Sequence, residues 1–305
     1  MIRFSILLFF ALGAAACGAS ASAHDSERLK GAIAAARSGS VIEVPPGDYD
    51  LKDLKISKSL TLRGAPDGGT VFRSAETTEK GILVPQAGTD LTVENVTFAG
   101  AKSWDRNGAG IRHEGRNLTV VNCKFLGNED GILATGDPEG AIVVRNSKFV
   151  DSGFGDGQSH AIYVASGGRL TVEGGHFIGT RIGHHIKSLA DATVVRGAVL
   201  DDAYGRSSYA VDVSRGGDVT IENNKIIQSA NADNHAIVNY DLTRGGEAVK
   251  IVITGNEITN RFDGGVLLRN DTKLAPVISG NRIQDEGKRP LALTSPGSPK
   301  PVDRQ

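Results

Sequence analysis

The chain has 305 residues, with 34 Lys and Arg against 35 Asp and Glu and a formal net charge of −1. So even a balance excludes the strongly basic face that nucleic-acid binding requires. Glycine is the compositional outlier at 39 of 305 residues, well above the usual ~7%, and without a collagen period so much glycine implies a fold full of tight turns.

In chain order, the first feature is a leader. Arg3 precedes the apolar run "FSILLFFALGAAA", and "ASA" at Ala21–Ala23 fits a processing site before His24, so residues 1–23 read as a signal peptide that directs the chain to the periplasm or the outside. The alternative is a loosened lipoprotein signal, "AAAC", which would anchor the chain through a lipid on Cys17. The run is too short to span a bilayer comfortably, and no transmembrane segment is expected further on. With the leader removed, Cys123 is the lone cysteine and no internal disulfide can form.

Next, "SERLKGAIAAARSGSVIEVPPGDYDL" predicts an amphipathic helix opening at Ser26, then a strand and a Pro-Gly turn. From there the sequence repeats about every 26 residues. One short pattern recurs as "GILVP", "GIRHE", "GILAT", "AIYVA", "HIKSL", "AVDVS", "AIVNY" and "GVLLR", with Ile82, Ile111, Ile132, Ile162, Ile186, Val211, Ile237 and Val266 as its aligned aliphatics. A second follows each time: "LTVENVTF", "LTVVNCKF", "IVVRNSKF", "LTVEGGHF", "TVVRGAVL", "VTIENNKI", "IVITGNEI", "PVISGNRI". Both alternate with the period of a strand. Within the second, Asn95, Asn122, Asn146, Gly174, Gly197, Asn223, Gly255 and Gly280 share one position, and Asn and Gly are the residues that accept a left-handed backbone. A sharp bend is therefore predicted there in every repeat, with the stacked Asn amides hydrogen-bonded from coil to coil. Phe98, Phe125, Phe149, Phe177, Leu200, Ile226, Ile258 and Ile283 share another position and should form an internal stack. Each repeat is one turn of a coil that can bury its apolar face only by stacking on its neighbours.

The opening helix, "LKISKSLTLRGA" and the coils behind them resemble the right-handed parallel β-helix proteins of the pectin-lyase-like group over about residues 26–290. The fold class expected is all-β, a single solenoid domain over 24–290 with eight to ten coils and an N-terminal capping helix. A last strand followed by a Pro/Ser-rich, disordered tail is expected over 291–305.

If the aligned aliphatics point inward, the residues on either side of them point outward. The outward column then reads Leu83, Arg112, Leu133, Tyr163, Lys187, Asp212, Val238, Leu267. The position before the aliphatic is small in every coil but one, the exception being His185, which this alternation places outward beside Lys187. One step further back, at the turn into the strand, stand His160, His184, Tyr209 and His235, with Asn234, Asn239 and Tyr240 extending the polar patch. The loops entering this face carry Trp104, Phe154 and Tyr204, flat apolar platforms that suit sugar rings. The plain alternative for each is structural: a His column that packs at a turn, a surface ion pair worth little, and aromatics tucked under their own loops.

A long shallow face across stacked strands suits a linear polymer. The resemblance implies lyase or C5-epimerase chemistry on a uronic-acid polysaccharide, which begins by removing the sugar's C5 proton. That step needs a positioned base and something to offset charge on the adjacent carboxylate. Lys187 or Tyr163 would be the base, Tyr163 or a histidine the acid, and His185 with Arg112 or a bound divalent cation such as calcium the neutralising group. Asp212, His160, His184 and His235 complete the catalytic candidates. Arg112, Trp104, Tyr209, Asn234, Asn239 and Tyr240 are the substrate-binding candidates. No cofactor is demanded by the sequence, and a zinc site is disfavoured because adjacent histidines point to different sides of a strand. The partner expected is an acidic polysaccharide met by a monomer. The family's sharper signatures are missing: there is no "DPHD", of which "ADNHAI" is a faint echo, no dense aspartate cluster and no paired hydrolytic aspartates. The rival class is a non-catalytic carbohydrate-binding or structural β-helix.

Overall fold

The computed structural model describes residues 18–202 and 204–302. The apolar leader and Cys17 lie outside them. Among the described residues, thirty strands wind into three parallel sheets of ten strands each, a parallel β-helix of ten coils. The first sheet carries the "LTVEN"-type strands, from Ser40–Glu43 to Val277–Ser279; the second the phenylalanine-bearing strands, from Gly47–Asp50 to Arg282–Asp285; the third the "GILVP"-type strands, from Leu54–Ile56 to Ala292–Thr294.

The bend between the first and second sheets is where the Asn/Gly column predicted it. Asn95, Asn122, Asn146 and Asn223 have φ of 58°, 53°, 47° and 54°, and Gly174, Gly197, Gly255 and Gly280 have φ between 62° and 67°. These residues do not make the amide ladder that was expected of them. That ladder belongs to the next residue, which has turned inward: Asn224 Nδ2 donates to Asn256 Oδ1 at 3.0 Å, and Asn256 Nδ2 to Asn281 Oδ1 at 2.8 Å. A side chain on a left-handed residue is directed away from the stack, whereas the following residue sits inside the corner and must satisfy its amide there.

Inside, Phe98, Phe125, Phe149 and Phe177 stack face to face with centroids 4.5 to 5.0 Å apart and ring planes within 8°, which is the spacing of parallel strands. Phe72 continues the column downward edge-on. Leu200, Ile226 and Ile258 continue it upward, buried and in strand register. Ile283, expected in the same stack, keeps the register but is 36% exposed, because its strand is the last of the second sheet and, among the described residues, no further strand stacks on it. Burying each interior side chain of the column stabilises the fold by roughly 1.5–3 kcal/mol.

The capping helix runs Gly18–Ala35 and so begins earlier than Ser26. Ser26 is an interior helical residue whose Oγ accepts the Asp50 N–H at 2.9 Å, tying the helix to the first coil. Leu29 and Ile33 bury their side chains on that coil, which covers an otherwise unpaired end. At the far end, residues 291–302 include the strand Ala292–Thr294, paired with Val266–Leu268, and a bridge from Val302 to Val277. No helix among the described residues is long and apolar enough to cross a membrane.

Candidate functional site

The third sheet aligns Ile111, Ile132, Ile162, Ile186 and Val211 as the repeat predicts. At both ends the alignment moves: Leu83 pairs with Ile111 and Val238 with Val211, each one residue beyond the expected aliphatic, and Leu268, two residues beyond Val266, pairs with Val238. The outward column is therefore Arg112, Leu133, Tyr163, Lys187, Asp212, Asn239, Arg269. The expected Leu83, Val238 and Leu267 are buried instead. Asn239 thus enters the column directly, and Arg269 joins it unforeseen.

Three neighbouring coils make the centre of this column. Lys187 Nζ lies 3.2 Å from Asp212 Oδ2 and 5.5 Å from the centroid of the Tyr163 ring. Asp212 is nearly fully buried, with 3% of its side chain exposed, and is held from all sides. Asn239 Nδ2 donates to its Oδ1 at 2.7 Å and Ser214 Oγ to the same oxygen at 2.8 Å, while His184 Nε2 lies 3.4 Å from Oδ2. Burial alone would raise this carboxyl's pKa. The neighbouring His184 and Lys187 and the two hydrogen bonds outweigh burial, and the net shift is downward.

Beside that column runs a stack of rings at the corner where the chain enters the sheet. His160 and His184 are parallel at 4.6 Å, His184 and Tyr209 follow at 5.1 Å, and Tyr163 meets His160 edge-on at 5.2 Å. Each side chain in this column accepts the backbone N–H of the next coil. Asp130 Oδ1 accepts from His160 N at 2.7 Å, His160 Nδ1 from His184 N at 3.0 Å, and His184 Nδ1 from Tyr209 N at 3.2 Å. A ring nitrogen that accepts an N–H carries no proton, so both neutral imidazoles hold theirs on Nε2. Burial depresses both histidines, His184 to about 4 and His160 well below its ordinary value, so both are neutral at pH 7. They can donate from Nε2 but have no free nitrogen with which to accept a proton. Asp130, fully buried, has its carboxyl pushed well above the usual range by desolvation.

Several expected members are elsewhere. His185 faces the interior and is 0% exposed. Its Nδ1 shares a 2.7 Å hydrogen bond with Thr180 Oγ1, its ring lies 6.4 Å from Phe177, and burial lowers its pKa to about 3. The small residues of its column are small because they face the phenyl stack: a methyl on Gly131 would lie 2.6 Å from the Phe149 ring, and one on Gly110 2.9 Å from Phe125. His185 fits where the stack ends and Leu200 is the next member of the column. His235 is exposed and outside the ring stack, because the shifted alignment puts Ala236 and Val266 against Tyr209 in its place. Tyr240 is buried on the inner side, its hydroxyl donating to the Gly217 carbonyl at 2.8 Å. Asn234 uses its carbonyl to accept from Gln228 Nε2. Arg112 is half-buried two coils from Tyr163. Arg269 donates to the Tyr209 hydroxyl at 3.2 Å and pairs with Asp271 at 2.6 Å. Trp104 stands exposed on its loop. Among the described residues, no group of three or more His, Cys, Asp or Glu is disposed to hold a metal ion, and His184 and His185 are turned to opposite sides of the sheet.

Comparison with known proteins agrees on the architecture. The family model described as "Right handed beta helix region" matches residues 65–198. Among solved structures, ORF18 of Geobacillus virus E2 superposes with a TM-score of 0.60 at 16% identity over 88% of this chain, which spans 56% of the viral protein. The A-module of a mannuronan C-5 epimerase from Azotobacter vinelandii gives 0.55 at 16% identity, covering 91% of this chain and 96% of that module. An alginate lyase from a Paenibacillus strain gives 0.51 at 15% identity, covering 90% and 97%. The search of curated proteins finds no match. At such identities these likenesses establish the right-handed parallel β-helix.

Proposed function

We propose that the outward face of the third sheet binds an acidic polysaccharide and cleaves it by β-elimination at a uronic acid. The observation that carries this reading is the Lys187–Asp212 pair standing beside Tyr163 and a ring stack whose histidines are locked as donors. Two of the folds it resembles belong to proteins named for alginate cleavage and mannuronan epimerisation, which makes polymers of that class the first to try.

The roles follow by elimination. The two histidines have no free acceptor nitrogen. Lys187 is tied to a buried carboxylate and serves as the ammonium. Tyr163 is the remaining group able to take the C5 proton, once its hydroxyl has given up its own, with the Lys187 ammonium 5.5 Å from its ring centroid. The Lys187 ammonium also offsets the charge that builds on the sugar's C6 carboxylate once the proton leaves. The electron pair of the broken C5–H bond forms the C4–C5 double bond, the C4–O4 bond breaks, and the leaving oxygen takes the proton back from Tyr163. Asp212 orients Lys187 and is itself oriented by Asn239, Ser214 and His184. Where C5–H and C4–O4 lie on the same face of the sugar, elimination needs groups on that side only, and the sheet floor supplies them there. Epimerisation returns the proton from the other side and needs a second acid facing the floor.

The test is incubation of the purified protein with a panel of polyuronates, following the ultraviolet absorbance of the unsaturated product. A rise that disappears in Lys187→Ala and Tyr163→Phe supports elimination. A change in uronate stereochemistry with no absorbance turns the assignment to an epimerase, and binding without either change overturns catalysis.

A further inference from the structure

Three loops entering the third sheet carry exposed aromatic rings at every second coil. Trp104, on the loop before the Arg112 strand, is 86% exposed; Phe154, before the Tyr163 strand, 47%; Tyr204, before the Asp212 strand, 67%. The intervening coils, those of Leu133 and Lys187, present glycine in their corresponding loops, at Gly127 and Gly179. Successive coils rise by one parallel-strand spacing, so the loops that carry these rings leave the coil roughly 10 Å apart along the axis. Exposed apolar side chains scattered singly are normal, but a row of them along one edge marks an interaction surface.

The rings are held in place. Arg106, two residues from Trp104, lays its guanidinium 4.6 Å from the Phe154 centroid and pairs with Asp156 at 3.2 Å, so the first loop is clamped onto the second. The third leans back toward the second. A methyl on Gly179 would lie 2.7 Å from the Tyr204 ring, so the absence of a side chain there is what lets the phenol lie across the intervening coil. Trp104, Arg106, Phe154 and Tyr204 thus make a ridge of loop side chains. It borders the Arg112–Tyr163–Lys187–Asp212 column on the side where the chain enters the sheet.

We infer that this ridge is the second wall of the polysaccharide site, stacking on sugars of the chain whose carboxylates meet the floor. The inference rests on the proposed function and deepens it. Apolar sugar faces meet the rings, carboxylates meet Lys187, and loops set at two-coil intervals suit a chain lying along the helix axis. A protein partner would make no use of that periodicity, and a chain bound across the axis would meet a single ring.

Trp104 is the sole tryptophan, so its emission reports directly on the ridge. Titration with a uronate hexamer should shift and quench that emission, while a uronate dimer, too short to reach from floor centre to Trp104, should leave it unmoved. Phe154→Ala and Tyr204→Ala should each bind the hexamer about tenfold more weakly by calorimetry, the usual effect of removing a stacking aromatic, with an unchanged melting temperature because both rings are exposed. Hexamer binding that is lost in Lys187→Ala yet leaves Trp104 emission and both ring variants unaffected overturns the ridge and leaves the floor standing. Absence of binding by any polyuronate, with Trp104 responding instead to a neutral oligosaccharide, overturns the acidic-polymer reading and with it the pairing of ridge and floor.

Discussion

Two stacks of rings climb this molecule, one inside the coil and one at its outer corner. The inner stack repeats a single residue: Phe98, Phe125, Phe149 and Phe177 lie parallel at 4.5 to 5.0 Å. The outer one is mixed: His160, His184 and Tyr209 stack at 4.6 and 5.1 Å. The same strand spacing sets both. Repetition inside gives a core in which every coil is interchangeable with the next. Variation outside converts that constant spacing into a row of distinct groups, each placed by the hydrogen bond that the coil before it makes to its backbone. A solenoid thus acquires a site by changing side chains at fixed addresses, without changing the path of the chain.

The sharpest way to break the comparison is to cut each part and ask which property fails. Lys187→Met keeps the hydrocarbon stem and removes the ammonium. It should lower turnover on a polyuronate by at least about 100-fold, the usual scale for a group that offsets charge or moves protons in the transition state, while the far-ultraviolet circular dichroism of the coil persists. Turnover within a few-fold of the parent would remove the floor from consideration as a reaction centre. Phe149→Ala should do the reverse. A cavity opened between two stacked phenyl rings costs about 3–5 kcal/mol, read as a lowered urea midpoint, while the Michaelis constant of the folded fraction stays the same.

Acid separates the two stacks more gently. His113, His160, His184 and His185 are all buried with folded pKa values below the ordinary one, His113 and His184 at about 4 and His185 at about 3. The unfolded chain therefore takes up four histidine protons below about pH 6.5 that the folded chain refuses. Two carboxyls run the other way. Desolvation raises Asp130 well above its ordinary value and Asp202 to about 7, so these two carboxyls favour proton uptake by the folded chain and offset part of the histidine effect. The four histidines outnumber the two carboxyls, so stability should fall as pH drops from about 6.5 to 4.5. Denaturant midpoints measured across that window would detect it. A flat profile would mean the ring stack takes up protons without opening, and that its histidines are not held as neutral donors.

Much of this was legible in the sequence because it depended on one residue type at one address. The left-handed bends required Asn or Gly and had them at all eight positions, and a phenyl column cannot avoid stacking once the period is known. Tyr163, Lys187 and Asp212 came together because the central coils keep a constant alignment. The errors arose where alternation stops being a guide. At the corner before the third sheet both His185 and Ile186 are buried, so counting inward and outward by turns assigned His185 to the wrong side. The run of small residues at that position was the available signal: it records room cleared for the phenylalanines, not an open face. Asn239 and Arg269 were obscured by a shift of one residue at Val238 and two at Leu268, which no local pattern announces because "AIVNY" and "GVLLR" each offer consecutive aliphatics to align.

His185 is where the corrected assignment makes its smallest but most discriminating demand. An outward histidine beside Lys187 would neutralise the substrate's carboxylate, and its loss would cost turnover as heavily as Lys187 itself. An inward one, hydrogen-bonded to Thr180 and lining a cavity of about 10 Å³ with Gln228 and Ile226, contributes packing and one hydrogen bond. His185→Ala should therefore leave kcat within about threefold, because no reacting atom is within its reach. It should destabilise the fold by about 1–3 kcal/mol, since Thr180 is left buried without its partner. Replacing it with Gln, which can still bond Thr180, should recover part of that loss. The variant should also take one histidine proton out of the acid-sensitive window, making the pH dependence between about 6.5 and 4.5 shallower by that amount. A large fall in kcat with unaltered stability would return His185 to the substrate face and undo the argument that the glycines of its column exist to make room for phenyl rings.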